Sequence, residues 1–129
     1  MIIYTQPYVR GSKKNTVMVE LKDAANAPVT GKVAADITAT VIRWRENPDR
    51  VNVSQLANAI APFNGGGWSE VNAATLPGLY RFDLRNADFV SDGRTDTLLV
   101  SVRCTGCQPV YLAIPMTDVD ESVNTIDRS

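Results

Sequence analysis

Apolar and polar residues alternate along much of this chain, with the period of two that is typical of a half-buried β-strand. The clearest case is residues 97–103, where Leu98, Val100 and Val102 share one face. An apolar segment at residues 110–116 follows as its natural pairing partner. The segments predicted as strands are residues 2–9, 16–21, 37–45, 68–71, 79–84, 97–103 and 110–116.

Turn-forming residues separate these strands, among them the Asn-Pro-Asp-Arg sequence at residues 47–50. One helix is predicted, at residues 54–60, where Ser54 would cap it and Leu56, Ala59 and Ile60 would share a face. Many short strands with at most one short helix indicate an all-β domain. The favoured architecture is a two-sheet antiparallel β-sandwich, immunoglobulin-like or jelly-roll-like.

The two chain ends differ in character from the middle. Residues 1–12 are predicted to form an N-terminal arm or edge strand, because Pro7 cannot donate to a strand ladder. Residues 13–117 form the sandwich, and residues 118–129 form a polar, acidic tail. Both ends are predicted to bind partners. The candidate residues are Tyr4, Pro7, Tyr8, Arg10, Asp118, Asp120 and Glu121.

The composition of the chain disfavours several classes of function. The 129 residues include 13 Lys and Arg against 14 Asp and Glu, a net charge of -1, so no broad basic field is available to bind nucleic acid directly. Histidine is absent, which removes the commonest general acid or base and the usual zinc and haem ligands. We therefore expect no enzyme and no cofactor. The N-terminus lacks a secretory signal and no apolar run approaches about 20 residues, so a cytoplasmic origin and no membrane partner are expected.

The Cys-Thr-Gly-Cys sequence at residues 104–107 is a candidate redox site. It lies between two predicted strands, so Thr105 and Gly106 are interpreted as the central residues of a hairpin turn. Cys104 and Cys107 would then face each other across the last pair of the ladder, close enough for a disulfide. Reduced thiols, a disulfide and a redox-labile pair all stay open. A zinc site would need two further ligands from a chain without other Cys or His.

Three other features have ordinary structural interpretations beside the functional ones. The glycines of residues 64–67 lack the Lys and helix of a phosphate-binding loop, so a flexible approach to the next strand is favoured. The acidic residues at 118–121 lack the glycine and length of a calcium loop. Five aromatic residues resemble a sugar-stacking platform, but a buried core is the favoured interpretation. They are Trp44, Trp68, Tyr80, Phe82 and Tyr111.

A central segment of the chain resembles a known group of proteins. Residues 66–72 read Gly-Gly-Trp-Ser-Glu-Val-Asn, residues 76–84 contain Pro-Gly-Leu-Tyr-Arg-Phe, and residues 86–89 read Asn-Ala-Asp-Phe. This order resembles small β-sandwich structural proteins of tailed bacteriophages, with the pattern Gly-Gly-aromatic-x-Glu-Val-Asp, then Pro-Gly-x-Tyr-x-Leu, then Pro-Asp-Ala. The departures from the pattern include Asn72, which stands where Asp is common, and Arg85, which stands where Pro is expected.

The resemblance implies a part of a virion. Members of this group are capsid decoration (cement) proteins, neck components or tail-tip modules, and the group supplies no catalytic residues. We expect a non-enzymatic decoration protein that is made in the host bacterial cytoplasm and binds the major capsid protein or other virion proteins. Self-association through arms and edge strands is also expected. The alternative is a neck, tail or baseplate module that binds host carbohydrate through Trp44. The third hypothesis is a small oxidoreductase that uses Cys104 and Cys107.

Overall fold

The structure, a computed structural model, describes residues 2–5, 8–9, 13–43, 47–89 and 97–117. These residues form strands and two 3₁₀ turns, at Ala34–Asp36 and Asn86–Asp88, and they contain no α-helix. In chain order the strands are β1 (Ile2–Tyr4), β2 (Tyr8–Val9), β3 (Thr16–Glu20), β4 (Ile37–Arg43), β5 (Asp49–Val51), β6 (Ser54–Gln55), β7 (Gly67–Asn72), β8 (Leu76–Asp83), β9 (Thr97–Cys104) and β10 (Val110–Thr117).

The strands form two sheets. The first has the order β1-β10-β9-β4-β5, with β2 also paired to β10, and the second has the order β3-β8-β7-β6. Most neighbours are antiparallel, while β1 and β2 run parallel to β10 and β6 runs parallel to β7. The predicted all-β, two-sheet sandwich is therefore confirmed.

The inward faces of the two sheets form one apolar core. Leu98, Val100 and Val102 of the first sheet have no exposed surface, as the alternation at residues 97–103 predicts. Tyr80 and Phe82 of the second sheet are equally buried. Each such side chain contributes about 1.5–3 kcal/mol by leaving water, so these facing layers account for most of the favourable energy of the fold.

The predicted helix at residues 54–60 is wrong. Its first residues form β6, where the Ser54 amide donates to the Gly66 carbonyl at 2.9 Å and the Leu56 amide donates to the Trp68 carbonyl at 2.9 Å. Leu56 is buried whereas Ile60 is 91% exposed, so the two do not share a face. The segment lies beside β7, and the strand bonds to β7 prevail over a weak helical pattern.

The turn predicted at residues 47–50 also extends too far. Asp49 and Arg50 belong to β5, which pairs antiparallel with Ala39, Thr40 and Val41 of β4. The short edge strand buries Val51 against the core, and that burial explains the extension of strand structure into a turn-like sequence.

The N-terminal segment is part of the first sheet. Ile2, Ile3 and Tyr4 pair with residues 111–113 of β10, and Tyr8 and Val9 pair with residues 116–117. The prediction of an edge strand holds for these described residues, since β1 ends the strand order. The predicted tail, residues 118–129, lies outside the described residues.

Candidate functional site

Two of the predicted partner-binding residues, Arg10 and Asp118, adjoin described residues at one end of the first sheet. Val9 of β2 and Thr117 of β10 are register partners in a parallel pair. Arg10 and Asp118 follow directly after these two residues in the sequence, and both lie outside the described residues. The described residues that directly precede Arg10 and Asp118 are therefore neighbours in the first sheet. We call the edge formed by β1, β2 and β10 the terminal edge.

Tyr8 connects the terminal edge to the second sheet. Its ring lies 5.6 Å from the ring of Phe89, between centroids, and its hydroxyl donates to the Thr16 carbonyl on β3 at 3.3 Å. Burial raises the pKa of the Tyr8 phenol, so the hydroxyl stays a donor at neutral pH. The structure therefore gives this predicted docking residue a half-buried, intramolecular position.

The other candidates at the ends are only partly described. Tyr4 pairs through its backbone with Ala113, and the adjacent Ile3 is 46% exposed. Pro7, Asp118, Asp120 and Glu121 lie outside the described residues. Partner binding by these residues stays a prediction.

The Cys-x-x-Cys sequence forms a tight turn at the end of β9. The Cys107 amide donates to the Cys104 carbonyl at 3.1 Å, and Gly106 has a φ of +82°. Thr105 and Gly106 are thus the central turn residues, as predicted. The predicted position of the cysteines is wrong, because the last ladder pair is Val102 with Val110. The chain leaves the ladder early because the Gln108 amide donates to the Lys22 carbonyl at 2.8 Å.

Both cysteines are free thiols in the structure, and both pack partly against the core. Burial and a hydrogen bond with Cys104 raise the pKa of Cys107 to about 11. Thiolates are the nucleophilic form, so this environment suppresses reactivity, in contrast to a redox-active thiol at a helix N-terminus. A shallow pocket of about 280 Å³ opens beside Cys104, lined also by Asp36, Thr38, Arg103 and Thr105.

Three of the five candidate sugar-stacking aromatics form core instead. Trp68, Tyr80 and Phe82 are at most 1% exposed, which confirms the core interpretation for them. Trp68 and Tyr80 stack with centroids 4.9 Å apart. Their polar atoms hold the chain at residues 29–32: the Trp68 indole donates to the Lys32 carbonyl at 3.1 Å, and the Tyr80 hydroxyl donates to the Val29 carbonyl at 2.8 Å. Trp44 lies outside the described residues.

The glycine-rich segment before β7 is closely packed. Gly66 has a φ of +86°, and a Cβ there would collide with the Asn52 carbonyl oxygen. The Gly66 amide donates to the Asp83 carbonyl at 2.8 Å, and a Cβ on Gly67 would lie 2.6 Å from Leu56. These glycines permit close packing between strands rather than binding a phosphate.

A charged pair that sequence reasoning missed lies on the outward face of β8. Arg81 and Asp83 make two parallel hydrogen bonds, Nε to Oδ1 and Nη2 to Oδ2, each 2.8 Å long. Residues 59–64 cover the pair, leaving Arg81 7% and Asp83 0% exposed. The alternation of residues 79–84 places both residues on one face, and this pattern predicts that they can pair. The neighbouring sequence does not indicate that residues 59–64 bury the pair.

Each remaining polar atom of the pair has a partner that ties down the covering segment. Arg81 Nη1 donates to the carbonyls of Ala59 at 2.9 Å and Ala61 at 2.7 Å. Asp83 accepts from the Asn64 amide at 3.0 Å and the Thr16 hydroxyl at 2.8 Å. Burial alone would raise the pKa of Asp83, but these bonds and Arg81 outweigh it, so the pKa lies below its ordinary value.

A second ion pair holds the 3₁₀ turn after β8. Arg85 Nε and Nη2 donate to the two carboxylate oxygens of Asp88, each at 2.8 Å. Nη2 also donates to Asp49 on β5 at 2.9 Å, which connects the two sheets. Asp88 is 2% exposed, so this pair too is structural rather than a free charged site.

The described residues show neither a metal-binding cluster nor a membrane-spanning helix. Among the described residues no group of three or more His, Cys, Asp or Glu side chains could hold a metal ion. Within the same part of the chain no helix has the length and apolar character to cross a membrane. No protein-family model, curated protein or solved structure matches the chain.

Proposed function

We propose that this chain is a non-enzymatic structural protein of a tailed-phage virion, and specifically a decoration or cement protein that binds and stabilises the assembled head. The proposal rests on the position of the resembling segment in the fold. Residues 66–89 form β7, β8 and the second 3₁₀ turn, which are the centre of the second sheet and its connection to β5. The motif thus coincides with the part of the chain that builds the sandwich.

The individual motif residues have structural roles. Trp68, Tyr80 and Phe82 fill the core. Gly66 and Gly78 have φ values of +86° and +83°, and a Cβ on Gly78 would lie 2.9 Å from Pro28. The motif residues are therefore explained by the fold itself, and the function lies in surfaces that the fold presents.

The departure at Arg85 is compatible with the resemblance. Arg85 has a φ of -71°, within the range to which the ring restricts a proline, so the backbone here is one that the family's Pro would adopt. The Arg85–Asp88 ion pair holds the turn that a proline would otherwise stiffen. The substitution therefore changes how the turn is stabilised while preserving its backbone conformation.

Decoration would work by mass action. A protein that binds only the assembled shell stabilises it by RT ln(1 + [L]/Kd) per site, and many sites on one particle add up. The terminal edge provides the contact in this proposal, because strand β1 is unpaired on its outer side among the described residues, and because Arg10 and Asp118 directly follow the paired residues Val9 and Thr117 in the sequence. Main-chain bonds to a neighbouring subunit would supplement side-chain contacts.

The carbohydrate-binding alternative receives no support from the described residues. Three residues of its predicted stacking platform, Trp68, Tyr80 and Phe82, are buried in the core and cannot contact a sugar there. A fourth, Tyr111, is half-buried. The oxidoreductase hypothesis is weakened by the raised pKa of Cys107. The head-binding proposal is therefore the one we carry forward.

Co-sedimentation with purified phage heads tests the proposal. Heads stripped of the protein are mixed with the purified chain and centrifuged through sucrose, and we expect the wild type to sediment with them. The double charge reversal Arg10→Glu with Asp118→Lys should weaken binding about tenfold, a loss typical of residues that matter at an interface. The control is Arg103→Glu, an exposed charge at the other end of the first sheet, which should bind as the wild type does. Failure of the wild type to sediment with heads would contradict the proposal.

A further inference from the structure

Asn64 precedes a glycine at the start of the exposed turn that leads into β7. Asn64 and Gly65 are both exposed, and together they are the one Asn-Gly sequence of the chain. Among the described residues, neither the Asn64 side-chain amide nor the Gly65 backbone amide has a hydrogen-bond partner. An electrophilic side-chain carbon and a backbone nitrogen that can close a ring onto it are therefore adjacent and uncommitted.

Four other asparagines of the described residues differ from Asn64 in both respects. The side-chain oxygen of each accepts a hydrogen bond, and each is followed by an alanine, whose methyl group crowds the backbone nitrogen. They are Asn26, Asn58, Asn72 and Asn86. Turning such a side chain toward the next amide would break its hydrogen bond, which stabilises the fold by about 0.5–1.5 kcal/mol. Asn64 has no such bond to lose.

We propose that Asn64 is a site of spontaneous deamidation, in which the Gly65 nitrogen attacks the Asn64 side chain. The nitrogen gives its proton to hydroxide and bonds to Asn64 Cγ, while the Cγ–Nδ2 bond breaks and Nδ2 leaves as ammonia. Water then opens the resulting succinimide ring. Opening between Cγ and the Gly65 nitrogen gives aspartate, and opening between the main-chain carbonyl carbon and that nitrogen gives isoaspartate. The reaction consumes water, releases ammonia and needs no other reactant.

Gly65 permits this attack because it has no side chain beside the nitrogen. The position nevertheless has room for one. Its φ lies outside the left-handed region, and an added Cβ would lie 3.5 Å from Arg85 Cα, an ordinary van der Waals contact. Gly65→Ala is therefore a variant that should fold as the wild type does while hindering the reaction.

Deamidation would change a residue that holds the cover of the buried ion pair. The Asn64 amide donates to Asp83 at 3.0 Å, and the Asn64 carbonyl accepts from the Gly67 amide at 2.7 Å. Isoaspartate adds a backbone carbon between these two groups, so the two bonds cannot both keep their geometry. Aspartate keeps the backbone but places a negative charge beside Asp83, which is fully buried. Both products should therefore loosen residues 59–64.

Peptide mapping by mass spectrometry tests the inference on the full chain. The protein is aged in mildly alkaline buffer, and ammonia release is followed in parallel. We expect Asn64 to deamidate ahead of Asn72, with isoaspartate among the products and a rate that rises with pH, because the attacking nitrogen must lose its proton. Gly65→Ala should slow the reaction at least about tenfold, which corresponds to about 1.4 kcal/mol in the activation free energy. Its melting temperature should match that of fresh wild type.

Urea unfolding and hydrogen exchange measure the consequence. Aged wild type should have a lower urea midpoint than fresh protein, with faster amide exchange in residues 59–64. Asn64→Asp reproduces one product without ageing and should lower the midpoint as well. The control is Asn72→Asp, because the exposed Asn72 side chain accepts from two backbone amides, which an aspartate oxygen also does. This control should be as stable as the wild type.

Retention of the Asn64 amide under conditions that deamidate a synthetic peptide of residues 60–69 would overturn the inference. Equal rates at Asn64 and Asn72, or an unchanged rate in Gly65→Ala, would overturn it as well. A deamidated protein as stable as the fresh one would refute the loosening of residues 59–64. These measurements use the purified chain alone, so head binding is judged separately from them.

Discussion

Arg81 and Asp83 form a two-point ion pair on the outward face of the second sheet, covered by a loop that has no charge of its own. The pair bonds to four other residues on two segments of the chain, β3 and residues 59–64. It therefore holds residues 59–64 against the outward face of the second sheet.

Removing one charge of this pair should destabilise the fold strongly. Asp83→Asn leaves Arg81 buried without its counter-charge, and breaking such a pair typically costs about 3–5 kcal/mol. The matched control is Asp49→Asn, which removes a carboxylate that is 63% exposed and should cost less than about 1 kcal/mol. Urea unfolding followed by circular dichroism measures both. Equal stabilities of the two variants would contradict the role of the buried pair.

Acid should unfold the protein partly through Asp83. The pKa of Asp83 in the folded state lies below its ordinary value, so the folded protein binds this proton less readily than the unfolded chain. The stabilisation is therefore complete above about pH 4, near the unfolded pKa, and is lost as the pH falls through the folded pKa. Urea midpoints measured at decreasing pH should fall in that window. The fall should be shallower in Asp83→Asn, and an unchanged slope would refute the assignment.

Two glycine substitutions distinguish the loss of stability caused by backbone strain from the loss caused by a steric clash of the new Cβ. Gly66→Ala and Gly106→Ala each place a Cβ at a φ above +80°, which costs about 1–2 kcal/mol for an ordinary residue. The Cβ at Gly66 also collides with the Asn52 carbonyl, whereas the Cβ at Gly106 meets nothing within 4 Å. We expect Gly66→Ala to lower the melting temperature clearly more than Gly106→Ala. The reverse order would show that the segment before β7 is not tightly packed.

The Cys107 thiol should react slowly at neutral pH. Burial and the Cys104 hydrogen bond give Cys107 a pKa of about 11, so little thiolate is present near neutrality. Alkylation by iodoacetamide should accelerate about tenfold per pH unit until that pKa is approached. Fragment-ion mass spectrometry of the labelled peptide assigns the label to Cys104 or Cys107 in the wild-type protein, and rapid labelling of Cys107 at neutral pH would contradict the raised pKa. A disulfide, which the sequence leaves open, would block both residues until a reductant is added.

The sequence predicts the core well because its signal is local. Val17 and Val19, like Leu98 and Val100, are buried exactly where alternation with a period of two places them, so local pattern and global fold agree. Alternation also puts Arg81 on the face opposite Tyr80. These features need no knowledge of distant residues.

The remaining features depend on partners far apart in the sequence. Residues 54–60 have helical spacing, but Ser54 and Leu56 bond to Gly66 and Trp68, and only the assembled sheet provides those partners. The burial of Asp83 depends on Asn64 and Thr16, which lie 19 and 67 residues away. Helical spacing would place Ile60 on one face with Leu56, but the strand bonds of residues 54–56 replace the helix, so Leu56 is buried and Ile60 is exposed.

The central claim is that the chain is a stoichiometric part of a phage particle, and quantitative mass spectrometry of gradient-purified virions tests it most directly. The account predicts peptides of this chain in intact heads, in fixed proportion to the major capsid protein and retained after nuclease treatment and repeated banding. Particles that carry the capsid protein but none of this chain would contradict it.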